Sequence, residues 1–333
     1  MSPGQRRALE FVLDNLVWFI LLVVLAIFSA FVPNYFQPQI FVNIIEQSTV
    51  LGVMSIGLAI VIIAGHMDLS IESVAALAAM ATGILFASAG IGIDLQISPG
   101  WLKVPVSIAA ALAVGALIGG INGLLIVKMR LNAFIVTLAS FIWVRGLVVA
   151  LSGGRSAQGL ASEIRWFAIQ RDPLFGLPLT AYIAIFCFIG FSIMMMKTRF
   201  GRHITLIGGN ETAAFRAGIK VNRVLIIAFI MAGMISALAG WLLAIRTSGA
   251  TANLGTGMLF QAFAAVVIGG VSLKGGIGGV PGVYAGVLLL SSINTAINLL
   301  HLPAEYTQVI QGLLVLAAVL LDTMKHSIRK RLS

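Results

Sequence analysis

The segment 197–223 is the longest polar stretch between two apolar runs, and it carries six Lys and Arg residues. Inside it, the pair Gly208–Gly209 is a helix breaker, and Asn210 is a suitable N-cap. Glu211 follows at a place where an acid suits the positive end of a helix, and Gly218 can end that helix. The pattern therefore predicts a two-turn helix from Asn210 to Gly218.

Ala213, Ala214 and Phe215 give this predicted helix a small apolar patch. A helix of two turns is marginal on its own, so it needs a surface to dock against. The composition equally allows a solvated basic loop that has no partner. Both interpretations remain open at this point.

Four uncharged polar residues share one face of an apolar run near the C-terminus. Ser291, Asn294, Thr295 and Asn298 recur at helical spacing. Inside hydrocarbon, such a face turns toward protein or water. Neutral amides and hydroxyls can hydrogen-bond a polyhydroxylated solute and release it again. The alternative is hydrogen bonding between helices, which is common in membrane proteins.

Three of the charged residues in or beside apolar runs are candidates for a functional or structural role, namely Asp68, Glu72 and Arg145. Arg145 falls toward the end of a run, where its side chain can reach the headgroups; a pathway role or a buried ion pair is the alternative. Asp68 is a candidate N-cap for the next run. The alternative is that Asp68 and Glu72, which are four residues apart, share one face of a common helix. A proton-coupling role for them lacks a partner motif.

The sequence contains no recognisable catalytic or metal-binding motif. The single cysteine, Cys187, allows no intrachain disulfide and no cysteine-based metal site. The four histidines are far apart and form no HExxH pair. No Gly-Lys dipeptide occurs, so there is no P-loop and any ATP must be hydrolysed by another chain. We expect no catalytic residue, no metal and no cofactor bound by this chain.

Composition assigns these groups to a membrane protein. Of 333 residues, 59% are hydrophobic and 10% are charged, and the mean hydropathy is +1.06. A soluble domain has about 25% charged residues, and disorder requires low hydrophobicity, so both classes are excluded. The apolar runs predict an all-α polytopic protein with about ten transmembrane helices. The predicted spans are 15–32, 46–64, 72–89, 104–127, 133–152, 178–196, 224–246, 258–273, 280–300 and 306–322.

Three of these runs, 46–64, 72–89 and 258–273, are short enough for broken or re-entrant elements. Glycines at small-xxx-small spacing, such as Gly115 and Gly119, predict close packing between helices. The longest outer loop, 153–177, has room for a short surface helix.

The basic residues predict the orientation of the chain. With ten alternating spans and the N-terminus inside, 15 of the 21 Lys and Arg residues fall inside and five outside. The positive-inside rule then places both termini in the cytoplasm. The same rule explains the net charge of +10 without any binding of nucleic acid.

Four sequence blocks, in order, resemble the ribose-type permeases of ABC importers. Residues 65–70 are similar to the family's G-G-x-D-L-S, and the second block runs from Asn122 to Leu138. Residues 208–219 are similar to G-x-N-x-x-A-A-x-x-x-G-I, and residues 264–276 begin with Ala-Ala-Val-Val-Ile-Gly-Gly. The resemblance covers almost the whole chain.

The resemblance implies a type II, vitamin-B12-permease-like importer fold in one transmembrane permease domain, 1–333, located in a bacterial inner membrane. It implies that 197–223 is a cytoplasmic coupling loop, whose apolar patch docks into a groove on the ATPase subunit. The coupling residues so implied are Gly208, Gly209, Asn210, Glu211, Ala213, Ala214, Phe215, Arg216 and Gly218. The implied partners are a second permease copy, identical or paralogous, two ATPase domains that hold ATP and Mg, and a periplasmic solute-binding protein.

Two departures from the family pattern stand out. The family's acidic pattern E-L-D-x-x-A-A is replaced here by Leu259-Phe260-Gln261, and His66 takes the place of the second glycine in G-G-x-D-L-S. The predicted substrate-pathway residues are Ser291, Asn294, Thr295, Asn298 and Gln261.

The predicted function is import of a carbohydrate, either a pentose, a hexose or a related polyol, by a permease subunit that is not itself an enzyme. One alternative is a branched-chain amino-acid ABC permease, whose architecture is similar. The other is a secondary transporter driven by protons or Na⁺, which needs an ion site at the midplane and inverted repeats.

Overall fold

The computed structural model describes residues 15–173 and 175–303, together with 309, 310, 312, 313, 316 and 320. The helices in the described residues are α1 (Leu16–Phe31), α2 (Pro38–Ile63), α3 (Ile71–Phe86), α4 (Lys103–Lys128), α5 (Ala133–Ser152), α6 (Ser162–Ile169), α7 (Leu179–Lys197), α8 (Arg199–Gly209), α9 (Glu211–Arg216), α10 (Val221–Thr247), α11 (Met258–Ile268) and α12 (Val280–Leu299). A 3-10 turn, Gly100–Leu102, precedes α4.

Six of the described helices are long and apolar enough to cross a bilayer, namely α2, α4 with its preceding turn, α5, α7, α10 and α12. Three further apolar helices, α1, α3 and α11, are shorter. The chain is therefore a multi-pass membrane protein built mainly of helices. The tenth predicted span, 306–322, lies largely outside the described residues.

Helix α10 is central and packs against α2, α3 and α4. Glycines allow the closest of these approaches, since a Cβ added at Gly115 of α4 would overlap the backbone of Gly233 of α10. A Cβ at Gly119 would likewise lie 3.0 Å from the backbone of Ile230. Backbone contact between helices is typical of membrane bundles, where van der Waals packing replaces the hydrophobic effect. The small-xxx-small prediction is confirmed for Gly115 and Gly119.

A three-stranded antiparallel sheet lies at one end of the bundle, which we call the sheet end. Its strands are β1 (Ala87–Gly90), β2 (Ala157–Leu160) and β3 (Gly249–Ala250), in the order β1-β2-β3. The prediction of a purely helical chain missed this sheet, and it ran the third span three residues too far, into β1. These strands are two to four residues of Ala, Gly, Ser, Gln and Leu, and they carry neither alternation nor β-branched residues.

Helix α2 is longer than predicted, because it begins at Pro38 instead of residue 46. The added turns, residues 38–45, contain the polar residues Gln39 and Asn43, which the apolar criterion excluded. The side-chain amide of Gln39 donates to the side-chain oxygen of Asn43 at 3.3 Å. Just inside the predicted span, Glu46 pairs with Arg171 at 2.9 Å. The predicted short helix in the loop 153–177 is present as α6.

Candidate functional site

The polar segment 197–223 folds as two helices, of which the sequence predicted only the second. Helix α8 (Arg199–Gly209) begins at Thr198, whose hydroxyl accepts a hydrogen bond from the N–H of Gly201. Its residues Ile204 and Ile207 are buried against the bundle. The sequence-based prediction missed this helix because its first turn is rich in charged residues, which obscures the apolar spacing of the later isoleucines. Thr198 is nevertheless a usable N-cap signal.

Helix α9 (Glu211–Arg216) confirms the predicted short helix with its cap and its glycine end. The side-chain oxygen of Asn210 accepts from the N–H of Ala213 at 2.9 Å. Gly218 has a φ of +83°, and its N–H donates to the carbonyl of Phe215 at 2.9 Å. A left-handed residue of this kind is the usual end of a helix, and glycine adopts it without strain.

The predicted apolar patch of α9 is divided between the interior and the surface. Ala214 is buried within the chain itself, with 4% of its surface exposed, so its prediction as part of an exposed patch is wrong. Phe215 is 70% exposed, and Ala213 is exposed beside it. A surface phenylalanine on so short a helix is the part of α9 that is available to a partner. Glu211 and Arg216 are also exposed.

Backbone segments from three motif blocks meet at the C-terminal end of α8, in what we call the glycine junction (Gly65, Gly208, Gly275, Gly276). The N–H of Gly276 donates to the carbonyl of Ile63 at 2.9 Å. A Cβ added at Gly208 would overlap that carbonyl, and one at Gly275 would lie 2.7 Å from the Cα of Gly65. The contact leaves no room for a side chain at Gly208, Gly275 or Gly276, and the φ of +85° at Gly65 favours glycine there.

His66 lies beside this junction, in the loop between α2 and α3. Its ring is 6.1 Å from that of Phe229, and it is partly buried. Burial holds the pKa of His66 below its ordinary value, and the carboxylate of Glu211 opposes that shift.

A buried chain of hydrogen bonds extends from the same loop. Asp68 accepts from both the N–H and the hydroxyl of Ser70, at 2.9 and 2.6 Å. Asn122 donates to the Ser70 hydroxyl at 3.0 Å and accepts from Ser140 at 2.6 Å. Asp68 is not the N-cap of α3, because Ser70 occupies that position. Desolvation raises the pKa of Asp68, and no cation among the described residues pairs with it.

Arg145 pairs with Glu72 at 2.8 Å, and its side chain is 18% exposed. The interpretation that it reaches the headgroups is therefore wrong, and the alternative of a buried ion pair is confirmed. The physical reason is that Glu72 and two backbone carbonyls lie within reach inside the protein. Glu72 and Asp68 do not form a face, since Asp68 precedes the helix and has its own partners.

The predicted pathway residues on α12 are only partly accessible. Ser291 and Thr295 are buried, and the Thr295 hydroxyl donates to the Ser291 carbonyl of its own helix at 2.8 Å. Asn294 is half-buried and Asn298 is exposed. Gln261, on α11, is half-buried.

Within the residues described by the structure, no group of three or more His, Cys, Asp or Glu side chains is arranged to hold a metal ion. Ion pairs join Lys103 to Glu163, Arg145 to Glu72 and Arg171 to Glu46, and none of these pairs involves α8 or α9.

Comparison with known proteins agrees with this architecture. Residues 40–319 match the family described as "Branched-chain amino acid transport system / permease component". The ribose import permease protein RbsC of Escherichia coli K12 is 37% identical over 310 residues, which are 92% of each chain. The L-arabinose transport system permease protein AraH of the same strain is 37% identical over 305 residues, covering 91% of this chain and 88% of that protein.

A more distant relative covers nearly the full sequence. The L-arabinose ABC transporter permease protein AraH of Azospirillum brasilense is 31% identical over 332 residues, covering 99% of this chain and 94% of that protein. No solved structure matches the chain. The match to the family and the length of these alignments show that the chain belongs to the branched-chain amino acid transport system / permease component family, as an ABC transporter permease without enzymatic activity of its own.

Proposed function

We propose that this chain is the membrane permease of an ABC importer for a carbohydrate, with an aldopentose as the first candidate. The observation that carries the proposal is the 37% identity, over nine tenths of the chain, to permeases named for ribose and for L-arabinose. The uncharged polar side chains of α12 and Gln261 suit a solute with many hydroxyl groups.

The proposed arrangement in the membrane has ten spans in one permease domain, 1–333, of the type II importer fold. Both termini face the cytoplasm of a bacterial cell, as the distribution of 15 inner and five outer basic residues supports. On this arrangement α8, α9 and the glycine junction lie at the cytoplasmic end, and the sheet lies at the periplasmic end.

The proposed partners follow from the same arrangement. Two ATPase domains bind ATP and Mg below the membrane, a second permease copy completes the pathway, and a periplasmic binding protein delivers the sugar. The chain itself binds no cofactor. Phe215 and Ala213 on α9 dock the ATPase, because an exposed aromatic side chain on a short helix gains stability only by burial.

The pathway is proposed to run past Asn294 and Asn298 of α12 and Gln261 of α11. Their amides can donate and accept hydrogen bonds in exchange for water. Ser291 and Thr295 line the same helix face from inside the bundle, where they support the position of the asparagines.

Transport by the complete importer in proteoliposomes tests this function. We expect ATP-dependent uptake of D-ribose or L-arabinose that needs the binding protein and is insensitive to a protonophore. Uptake of leucine instead would support the branched-chain amino-acid alternative. Uptake without ATP that collapses with the protonophore would contradict the ABC mechanism.

The docking role of Phe215 is tested by replacing it with alanine. Full burial of a phenylalanine is worth about 1.5–3 kcal/mol, and 70% of Phe215 remains to be buried, so about 1–2 kcal/mol is at stake. ATPase affinity should fall by about 5- to 30-fold. Phe175→Ala is the matched control, because Phe175 is 68% exposed in the loop 153–177. Equal ATPase binding by both variants would remove α9 from the interface.

A further inference from the structure

One buried carboxylate, that of Glu72, connects three separate elements of the fold. Glu72 lies in the first turn of α3 and is 3% exposed. Its Oε1 accepts from Arg145 of α5 at 2.8 Å. Its Oε2 accepts from the backbone N–H groups of Gly257 and Leu259, each at 3.0 Å. The carboxylate therefore satisfies a guanidinium and the start of α11 at the same time.

Arg145 holds the same region from the other side. Its Nη1 donates to the carbonyls of Ala252 and Leu254, at 3.0 and 3.2 Å. These carbonyls belong to the loop that leads from β3 to α11. The pair of Glu72 and Arg145 thus fixes both the carbonyls and the N–H groups of one irregular segment.

Helix α11 needs such support because it is too short to cross the membrane. Its 11 residues span about 16 Å, roughly half of the hydrocarbon thickness. Its first N–H groups therefore require acceptors inside the bundle, where an unsatisfied group is costly. A carboxylate at this end also complements the helix dipole.

We propose that Glu72 is a positioning residue for transport, whose carboxylate sets the placement of α11 and so of Gln261. The proposal rests on the proposed transport function, since α11 matters there as part of the pathway. Leu259 is buried in the first turn of α11, and its own N–H binds this carboxylate. A glutamate at position 259, where the family pattern has one, would bring its carboxylate to the place that the Glu72 carboxylate occupies here. Glu72 thus explains why this chain can carry Leu259 instead of the family's acid.

Relocating the carboxylate tests the proposal. Glu72→Ala should lower uptake by about tenfold or more, because removing one partner of a buried pair leaves the other charge uncompensated. Leu259→Glu alone should also lower uptake, since two carboxylates then compete for Arg145. The double variant should recover to within about threefold of wild type, because one carboxylate again faces Arg145.

Three matched controls separate position from simple charge balance. Leu259→Gln in the Glu72→Ala background should not rescue, because an amide brings no charge. Exchanging the pair, Glu72→Arg with Arg145→Glu, should not rescue either, since a guanidinium offers no acceptor to the N–H groups of α11. Glu46→Ala removes an ion pair of similar length, 2.9 against 2.8 Å, on a partly exposed surface and should change uptake by less than about threefold.

A second measurement does not depend on the sugar. A cysteine introduced by Phe260→Cys in a Cys187→Ser background reports water access to α11, because the thiolate is the reactive form. Its rate with N-ethylmaleimide, in purified full-length permease, should change in Glu72→Ala and return in the double variant with Leu259→Glu. If wild type transports neither D-ribose nor L-arabinose, only the proposed function fails, and this rate still tests Glu72.

The outcomes are decisive for Glu72. The proposal is supported if Leu259→Glu restores uptake in the Glu72→Ala background. If no substrate is known, restoration of the labelling rate supports it in the same way. If Glu72→Ala fails to reach the membrane, recovery of membrane abundance with Leu259→Glu but not with Leu259→Gln supports it equally. Wild-type behaviour of Glu72→Ala, or rescue by the exchanged pair, would overturn it.

Discussion

Two adjacent glycines at the end of α8 should respond in opposite ways to the same substitution. Gly208 and Gly209 are both helical residues in one turn, and neither has a positive φ. A Cβ at Gly208 would overlap the carbonyl of Ile63 and lie 2.6 Å from the nitrogen of Gly276. A Cβ at Gly209 would meet no atom within 4 Å. Gly208→Ala should therefore disrupt the glycine junction, whereas Gly209→Ala should leave it intact.

The magnitude follows from the contacts. Carbon atoms normally approach to about 3.5–4.0 Å, so Gly208→Ala requires α8 to move away from the loops, at about 1–3 kcal/mol for overpacking. If α8 stays in place instead, the new methyl group displaces the hydrogen bond from Gly276 to Ile63, and each buried group left unpaired costs about 1–3 kcal/mol. Either response costs at least about 1–3 kcal/mol, which is a large share of the stability of a typical fold. Gly209→Ala should be neutral or stabilising by about 0.5 kcal/mol, because alanine favours the helix.

Membrane abundance, the thermal midpoint in detergent and uptake by the assembled importer measure the difference. Gly208→Ala should lower all three, while Gly209→Ala should match wild type. Serine at 208 should resemble alanine, because the overlap comes from the Cβ. Equal midpoints for the two alanine variants would refute the close approach of α8 to Ile63 and Gly276.

Three further predictions concern the same end of the chain and the pathway. Asn210→Ala should lower the stability of α9 by about 1 kcal/mol and weaken ATPase binding, whereas Asn210→Asp should retain the cap; pull-down of the ATPase measures both. Burial places the pKa of His66 below 6.5, so the folded protein takes up a proton at His66 less readily than the unfolded chain does. The contribution of His66 to stability should therefore be constant above about pH 6.5 and fall as the pH drops below it. The thermal midpoint measured against pH should show this fall in wild type and lack it in His66→Gln. Replacing Asn294 and Asn298 together by leucine should abolish uptake and spare basal ATPase activity; normal uptake by a stable double variant would remove α12 from the pathway.

Local sequence signals were enough for the features that depend on neighbouring residues. Hydropathy identified the membrane class, and the order Asn210, Glu211, Gly218 specified a capped short helix with its end. These features depend on backbone hydrogen bonds and φ preferences within a few residues, so the sequence contains the complete information. The four motif blocks similarly indicated the family, because their residues and their order along the chain are properties of the sequence itself.

Tertiary structure alone decided which side chains are accessible and which charges are paired. The burial of Ala214 depends on what lies beneath α9, and the glycine junction joins segments that are about 70 to 210 residues apart in the chain. Arg145 and Glu72 are 73 positions apart, and the residues around each of them give no indication that the two will form an ion pair. The strands of the sheet are too short, and their side chains mostly too small, to produce a recognisable local sequence pattern. Each of these features is a contact between distant segments, and its energy comes from desolvation and packing that exist only after the helices assemble.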